Sequence, residues 1–210
     1  AGWVADVVTA SGQAACTVRL FVVSNDDNSA ANAYIWTQPP THYPLAYYQE
    51  GVAAITFAAQ RFLPESKSLN ALSSFMAQRR ARAAGVHEAL LQHAGCLTEG
   101  SNSNLFAVIG GEVVTPPDAE VLAGVTREVV LRLAREHEIP VHCAALPLAG
   151  RADWQESFIT STSRHVMPLI RVDDATSGDG RPGPVTRRLH ALFEAYFAAH
   201  ADTIAAVIVE

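Results

Sequence analysis

Short runs rich in β-branched residues alternate along this chain with stretches striped at helical spacing, and that alternation points to an α/β layered domain. "CTVRLFVVS" (16–24) reads as a strand, as do "GVAAITFAAQRF" (51–62), "HEALLQ" (87–92), "SFITST" (157–162) and "VMPLIRV" (166–172). "NLFAVIGGEVVTP" (104–116) alternates around Gly110-Gly111 and predicts a hairpin. Helices are expected between them. Leu72, Phe75, Met76 and Arg79 fall at i, i+3, i+4 and i+7, with Gly85 as a stop. Val130, Leu133, Ala134 and His137 stripe a second helix from Thr126, which Pro140 bars from going further. Leu189, Leu192, Phe193 and Tyr196 stripe a third. "NDDNSAANA" (25–33) reads as a loop, and "TQPPTHYP" (37–44), with its three prolines, as an interdomain linker.

The 210 residues suffice for one large domain, and 49% of them are hydrophobic, which permits a sizeable core. Only 17% are charged, which argues against disorder. A net charge of −6 without a basic stripe argues against nucleic acid as a partner. No apolar run reaches the roughly 18 residues of a spanning helix, so no membrane partner is expected. Three unpatterned cysteines, Cys16, Cys96 and Cys143, and the lack of a signal peptide at the start fit a cytoplasmic setting. The chain begins at Ala1 rather than Met, so a longer polypeptide is one expectation.

The basic residues carry the sharpest chemical hint. There are fifteen of them, and "PESKSLNAL" (64–72) holds the single lysine, Lys67. A lone surface lysine left by drift is the plain reading. The chemical reading is that only a primary amine can lose its proton and condense with an aldehyde, whereas arginine stays protonated. Three further stretches are candidates. In "LTEGSNSNLF" (97–106), Glu99 is either part of a solvated turn or a carboxylate at a site wall, oriented by Asn102, Ser103 and Asn104. In "LAGVTREVV" (122–130), Gly124 precedes Thr126, read as a helix N-cap. Such a start is either an ordinary cap or an anion site. "ITSTS" (159–163) offers hydroxyls and backbone donors at a strand end.

Two other patterns weigh less. "GDGRPG" (178–183) matches GxGxxG between a strand and a helix, as a dinucleotide unit would. Pro182 and Pro184 oppose it, because they remove backbone donors. The eight histidines show no zinc pair and the cysteines no supporting pattern, and no GxSxG elbow occurs.

The order lysine, carboxylate, helix start, Ser/Thr strand end resembles the class IV aminotransferases, the fold-type IV pyridoxal-phosphate enzymes. That family includes D-amino-acid and branched-chain aminotransferases and aminodeoxychorismate lyase. The resembling stretches are "KSLN" (67–70), "GVHEALLQHAGCLTEGSNSNLFAV" (85–108), "TPPDAEVLAGVTREVVLRLARE" (115–136) and "SFITSTSRHVMPL" (157–169). The resemblance implies a mixed sheet partly closed into a barrel with flanking helices. It implies pyridoxal 5'-phosphate as cofactor and amino transfer between an amino acid (or amine) and a 2-oxo acid, in a homodimer. Lys67 would carry the cofactor as a Schiff base, and Glu99, with Asn102 near it, would face the pyridine nitrogen. Leu122 would pack on the ring. Gly124, Val125 and Thr126 would bind the phosphate, with Ser161 and Thr162 completing the cup.

The resemblance also sets the expected domains. Residues 1–40 would be a remnant of the small N-terminal domain and linker, 41–200 the cofactor-binding large domain, and 201–210 a C-terminal extension. In the family a smaller domain precedes the segment that "CTVRLFVVS" resembles, and it supplies a phosphate-binding arginine and a tyrosine. Only about fifteen residues precede it here. Asp26-Asp27 stand where D-amino-acid aminotransferases place a carboxylate-gripping arginine, and would repel a carboxylate. The lyase of the same fold and a non-catalytic phosphate-binding remnant are the alternative readings.

Overall fold

The computed structural model describes residues 2–25 and 30–200. Among these the chain divides into two compact units, one drawn from residues 2–42 and 197–200 and a larger one, Tyr43–Tyr196.

The first unit contains helix α1 (Gly2–Ser11) and the strands β1 (Thr17–Ser24) and β2 (Ala31–Gln38). The strands pair antiparallel from Thr17 opposite Gln38 to Ser24 opposite Ala31. Phe21 and Trp36 meet across the pair, with centroids 4.9 Å apart. Residues 31–33 were expected in a loop, yet they are strand. Asn and Ala favour strands little, but a partner rich in Val, Leu and Phe supplies the ladder, so context overrides propensity. α1 was not anticipated, since its sequence has no capping signal. Asp26-Asp27 lie outside the described residues.

The second unit is built around a mixed sheet. Its strands are β3 (Val52–Ala58), β4 (Glu88–His93), β5 (Cys96–Gly100), β6 (Ser103–Ile109), β7 (Glu112–Thr115), β8 (Val141–Cys143), β9 (Leu146–Pro147), β10 (Glu156–Ser161), β11 (His165–Val172) and β12 (Ala175–Thr176). Six of them close a ring in the order β6, β10, β11, β3, β4, β5 and back to β6. The β11–β3 and β3–β4 pairings are parallel, and the other four in the ring are antiparallel. The ring is thus a small closed barrel, which removes the sheet edges. Its interior is packed by residues that alternate along the strands: Val52 and Ala54, Leu90, Leu97, Leu105 and Ala107, Ile159, Met167 and Leu169. Some outward residues are buried too. Phe106 and Phe158 stack at 4.7 Å, and both are fully buried.

Helices α2 (Leu45–Gln49), α3 (Leu72–Ala83), α4 (Val125–Glu136) and α5 (Pro184–Ala199) complete the set. The expected stripe of α4 is buried at Val130, Leu133 and Ala134, while His137 caps the exposed end. α3 forms where its stripe predicts but turns the other face to the sheet. Ala77 and Ala81 are fully buried against Ala89 and Leu91. Leu72, Phe75 and Met76 are 68%, 60% and 44% exposed. Two alanines let the helix backbone approach the sheet closely, and the bulky residues then have only the outside left. Strand β3 also stops at Ala58, four residues short of the predicted run.

The GxGxxG segment leads into a helix start that is already occupied. Glu156 takes it, its carboxylate accepting from the Val185 and Thr186 N–H groups at 3.0 and 2.7 Å. A carboxylate in that position complements the helix dipole and leaves no place for a second anion. No helix among the described residues is long and apolar enough to cross a membrane.

Candidate active site

Strand alternation would put Leu97 and Glu99 on the same side of β5, inside the barrel. They are not. Leu97 pairs with Gln92, but Gly100, not residue 99, pairs with Leu90, so β5 carries one extra residue between Leu97 and Gly100. This bulge re-aims Glu99 onto the outer face, in register with Asn104 of β6. The solvated turn expected for "EGSNSN" is instead largely buried: Glu99, Ser101, Ser103 and Asn104 are 3–8% exposed.

The Glu99 carboxylate sits under the segment that leads into α4. Its Oε2 accepts from the Leu122 N–H at 3.2 Å, and its Oε1 lies 3.6 Å from Nε of Arg61. Asn104 Nδ2 donates to the Leu122 carbonyl at 2.9 Å, so both polar groups of Leu122 are held by neighbouring side chains. A Cβ on Gly124 would collide with Asn104 Oδ1, so only glycine permits this docking. Burial pushes the Glu99 carboxyl up from 4.5 to about 7, against Arg61, the Leu122 N–H and Lys67, which pull it down.

Lys67 lies in the loop between β3 and α3 and is solvent-exposed. Its charge nevertheless acts on Glu99. The loop is shaped by its own turn: the Ser66 N–H donates to the Leu63 carbonyl at 2.9 Å, with Leu63 at φ +51°. A left-handed leucine costs roughly 1 kcal/mol or more. Arg61 Nη2 donates to the Ser66 carbonyl at 2.9 Å.

The helix start is not capped as expected. Gly124 holds the cap position with no side-chain bond, and Thr126 lies inside the first turn, 4% exposed. The first-turn N–H groups therefore have no intrahelical partner. Val125 is 76% exposed beside them. α4 packs against β10, whose last residue is Ser161. Asn104 pairs with both Glu99 and Thr160, so the carboxylate and the Ser161–Thr162 turn lie on the two strands that flank β6. The Arg164 N–H closes that turn on the Ser161 hydroxyl at 3.2 Å. Asn102 stays outside this group: its side chain is exposed, and its carbonyl accepts from Arg164 Nη1 at 3.2 Å.

Three charged residues escaped the sequence reading. Arg61 lacks any motif, since it falls inside a run read as strand. Glu88 is fully buried, accepts from the Ser101 N–H and the hydroxyls of Ser101 and Ser103, and lies 3.6 Å from Arg164 Nη2. Arg164 in turn donates from Nε to His87 Nε2 at 3.2 Å, and burial and that guanidinium lower the His87 pKa. This cluster ties the 102 and 164 turns together through Arg164. A buried acid opening "HEALLQ" carries no outward sign in the sequence.

The barrel thus carries a buried glutamate beneath a helix start, with a lysine whose charge reaches it. The profile of the family Amino-transferase class IV matches residues 3–172, and the chain belongs to that family. It is 33% identical over 159 residues to a D-alanine aminotransferase of Staphylococcus aureus (strain N315), covering 75% of this chain and 56% of that one. It is 36% identical over 153 residues to a putative branched-chain-amino-acid aminotransferase of Methanocaldococcus jannaschii, covering 70% and 53%. Among solved structures, a branched-chain amino acid aminotransferase of T.th. complexed with N-(5'-phosphopyridoxyl)-L-glutamate matches with a TM-score of 0.80 and 26% identity, over 97% of this chain and 70% of that one. The chain thus spans little more than half the length of the two relatives named by sequence.

Proposed function

We propose that this chain is the cofactor-binding part of a pyridoxal 5'-phosphate-dependent aminotransferase that moves an amino group between an amino acid (or amine) and a 2-oxo acid. The observation that carries the reading is Glu99: a buried carboxylate fixed by a backbone N–H, with a guanidinium and the only lysine of the chain acting on it. The named relatives are aminotransferases, and one solved relative holds a phosphopyridoxyl adduct.

The donor set fits such a cofactor. It offers one amine, one buried anion, free helix-start N–H groups and hydroxyls at the end of β10. The cofactor when bound supplies an electron sink for a carbon next to nitrogen. The chain's own residues supply the rest. Lys67 is the one side chain able to attach to an aldehyde and to move a proton at Nζ. Glu99 presents an anionic acceptor to a protonated ring nitrogen. Leu122, held by Glu99 and Asn104, offers an apolar side chain to a ring face. Gly124, Val125 and Thr126 present first-turn N–H groups to a phosphate, with Ser161 and Thr162 opposite.

The same reading takes 1–40 as the remainder of a small domain and linker, 41–200 as the cofactor domain and 201–210 as an extension. The start of the compact unit Tyr43–Tyr196 supports the first boundary, although residues 197–200 group with the first unit. We further propose a homodimer, because Leu72, Phe75 and Met76 leave an apolar helix face outward. A cytoplasmic setting goes with it, supported by the free thiols of Cys16, Cys96 and Cys143.

The test is direct. The purified chain is mixed with pyridoxal 5'-phosphate, reduced with borohydride and digested. The expected label is on the peptide containing Lys67. Labelling of no peptide, or of the N-terminal amine alone, sinks the reading.

A further inference from the structure

We propose that Arg61 is a positioning residue: its one guanidinium ties the Glu99 carboxylate to the loop that carries Lys67. The functional meaning rests on the reading above, while the link itself does not. Arg61 follows β3 closely, and the Ala59 N–H is still bonded to the Gln92 carbonyl at 3.1 Å, so the arginine is rooted on the barrel. From there Nε faces Glu99 Oε1 at 3.6 Å and Nη2 donates to the Ser66 carbonyl at 2.9 Å. Ser66 is the residue before Lys67, and it closes the turn in which Leu63 is held left-handed. The arginine side chain is only 14% exposed. A guanidinium serves two separated acceptors from two different nitrogens, whereas the donors of an ammonium all leave a single nitrogen.

The charge has a second consequence. The groups acting on Glu99 are Arg61, the Leu122 N–H and Lys67, and Arg61 opposes its burial most. Without Arg61 the carboxyl is driven toward its neutral form at neutral pH. A neutral acid presents no anion to a ring nitrogen. The loop, released from Ser66, no longer holds Lys67 at a fixed place relative to Glu99.

Two variants separate charge from bridging. Glu99 is titrated by carbon NMR in the glutamate-labelled 210-residue chain without cofactor, and loop release is read as the rate of chymotrypsin cleavage at exposed Phe62, Leu63 or Leu69. Arg61→Gln is expected to move the Glu99 midpoint above that of the parent and to speed cleavage several-fold. Arg61→Lys is expected to hold the midpoint near that of the parent while cleavage still speeds up. With pyridoxal 5'-phosphate added at neutral pH, borohydride labelling of Lys67 at limiting cofactor should drop roughly tenfold in Arg61→Gln, in line with loss of a charge-assisted contact. If Arg61→Gln leaves both midpoint and cleavage unchanged, the proposal is overturned. Should Arg61→Gln fail to fold, Arg61→Lys decides: cleavage at the parental rate overturns the bridge. Failure of the parent chain to take up the cofactor would sink the proposed function but leave the first two readouts standing.

Discussion

The two halves of the candidate site are built in opposite ways. Glu99 lies on a bulged strand, almost fully buried, with its neighbours bonded to one another. Lys67 lies in an exposed loop, and Leu63, Leu69 and Leu72 around it are 57–68% exposed. The carboxylate side is preorganised by this chain alone, so the cost of ordering it is met on folding. The lysine side is shaped by short backbone turns closed by the Ser66, Ser68 and Ala71 N–H groups and by Arg61. The difference teaches that the barrel holds the carboxylate in place, while the amine side is left on an exposed loop.

The widest separation between the halves is chemical. Lys67→Arg keeps the charge and, being exposed, should leave the thermal midpoint of the chain within about 2 °C, since surface changes stay within about ±0.5 kcal/mol. Labelling by pyridoxal 5'-phosphate and borohydride at that position should disappear entirely. Persistent labelling elsewhere in the second unit would break the comparison.

Glu99→Gln comes next and should act on the built half. A hydrogen bond to a charged group contributes about 1.5–3 kcal/mol, so under the proposed function transamination should slow roughly tenfold to a hundredfold or more. Unchanged turnover would remove Glu99 from the chemistry. Stability should move the other way. The Glu99 pKa is raised in the folded chain, so the folded state binds its proton more tightly than the unfolded state does. Its favourable contribution is complete below pH 4.5 and is lost as pH rises through about 7. The loss is up to about 3 kcal/mol. Denaturant melts of the cofactor-free chain across that window should show the decline, and Glu99→Gln should flatten it.

A smaller effect is expected where the α4 start docks. Gly124→Ala places a methyl on Asn104 Oδ1, and overpacking of this kind costs about 1–3 kcal/mol. The backbone there has φ −69°, so the cost is steric and not conformational. Pairing the change with Asn104→Ala should recover part of it; a full cost in the double variant would place the strain elsewhere.

Why the sequence revealed one half better than the other follows from these residues. Five of the six strands that close the barrel, β3, β4, β6, β10 and β11, fall in runs read as strand, whereas β5 was not, and the Gly110-Gly111 hairpin forms as predicted between β6 and β7. Lys67 is conspicuous because amine chemistry has no substitute in an arginine-rich chain. The Glu99 pocket is different. Its bulge is a matter of register, and nothing in "CLTEG" says that an extra residue will turn Glu99 outward. Arg61 was hidden because the apolar run before it reads as strand past its true end. The face of α3 was misjudged because periodicity gives a stripe but not its partner, and two alanines outcompeted four larger residues for the sheet.

The smallest expected effect tests the open half. Leu69→Ala removes a large side chain that is 58% exposed. In the isolated chain its cost should stay within about 0.5 kcal/mol, whereas Leu97→Ala in the barrel interior should cost about 2–5 kcal/mol. The two together calibrate how much of the loop is held by this chain. If a second copy covers the loop, Leu69→Ala should lower apparent stability only at protein concentrations where the chain associates, because binding to the folded state alone adds stability by mass action. Melts across a hundredfold concentration range distinguish the cases. A cost of several kcal/mol at the lowest concentration would show that the lysine loop is as firmly built as the carboxylate pocket, and the contrast between the two halves would fall.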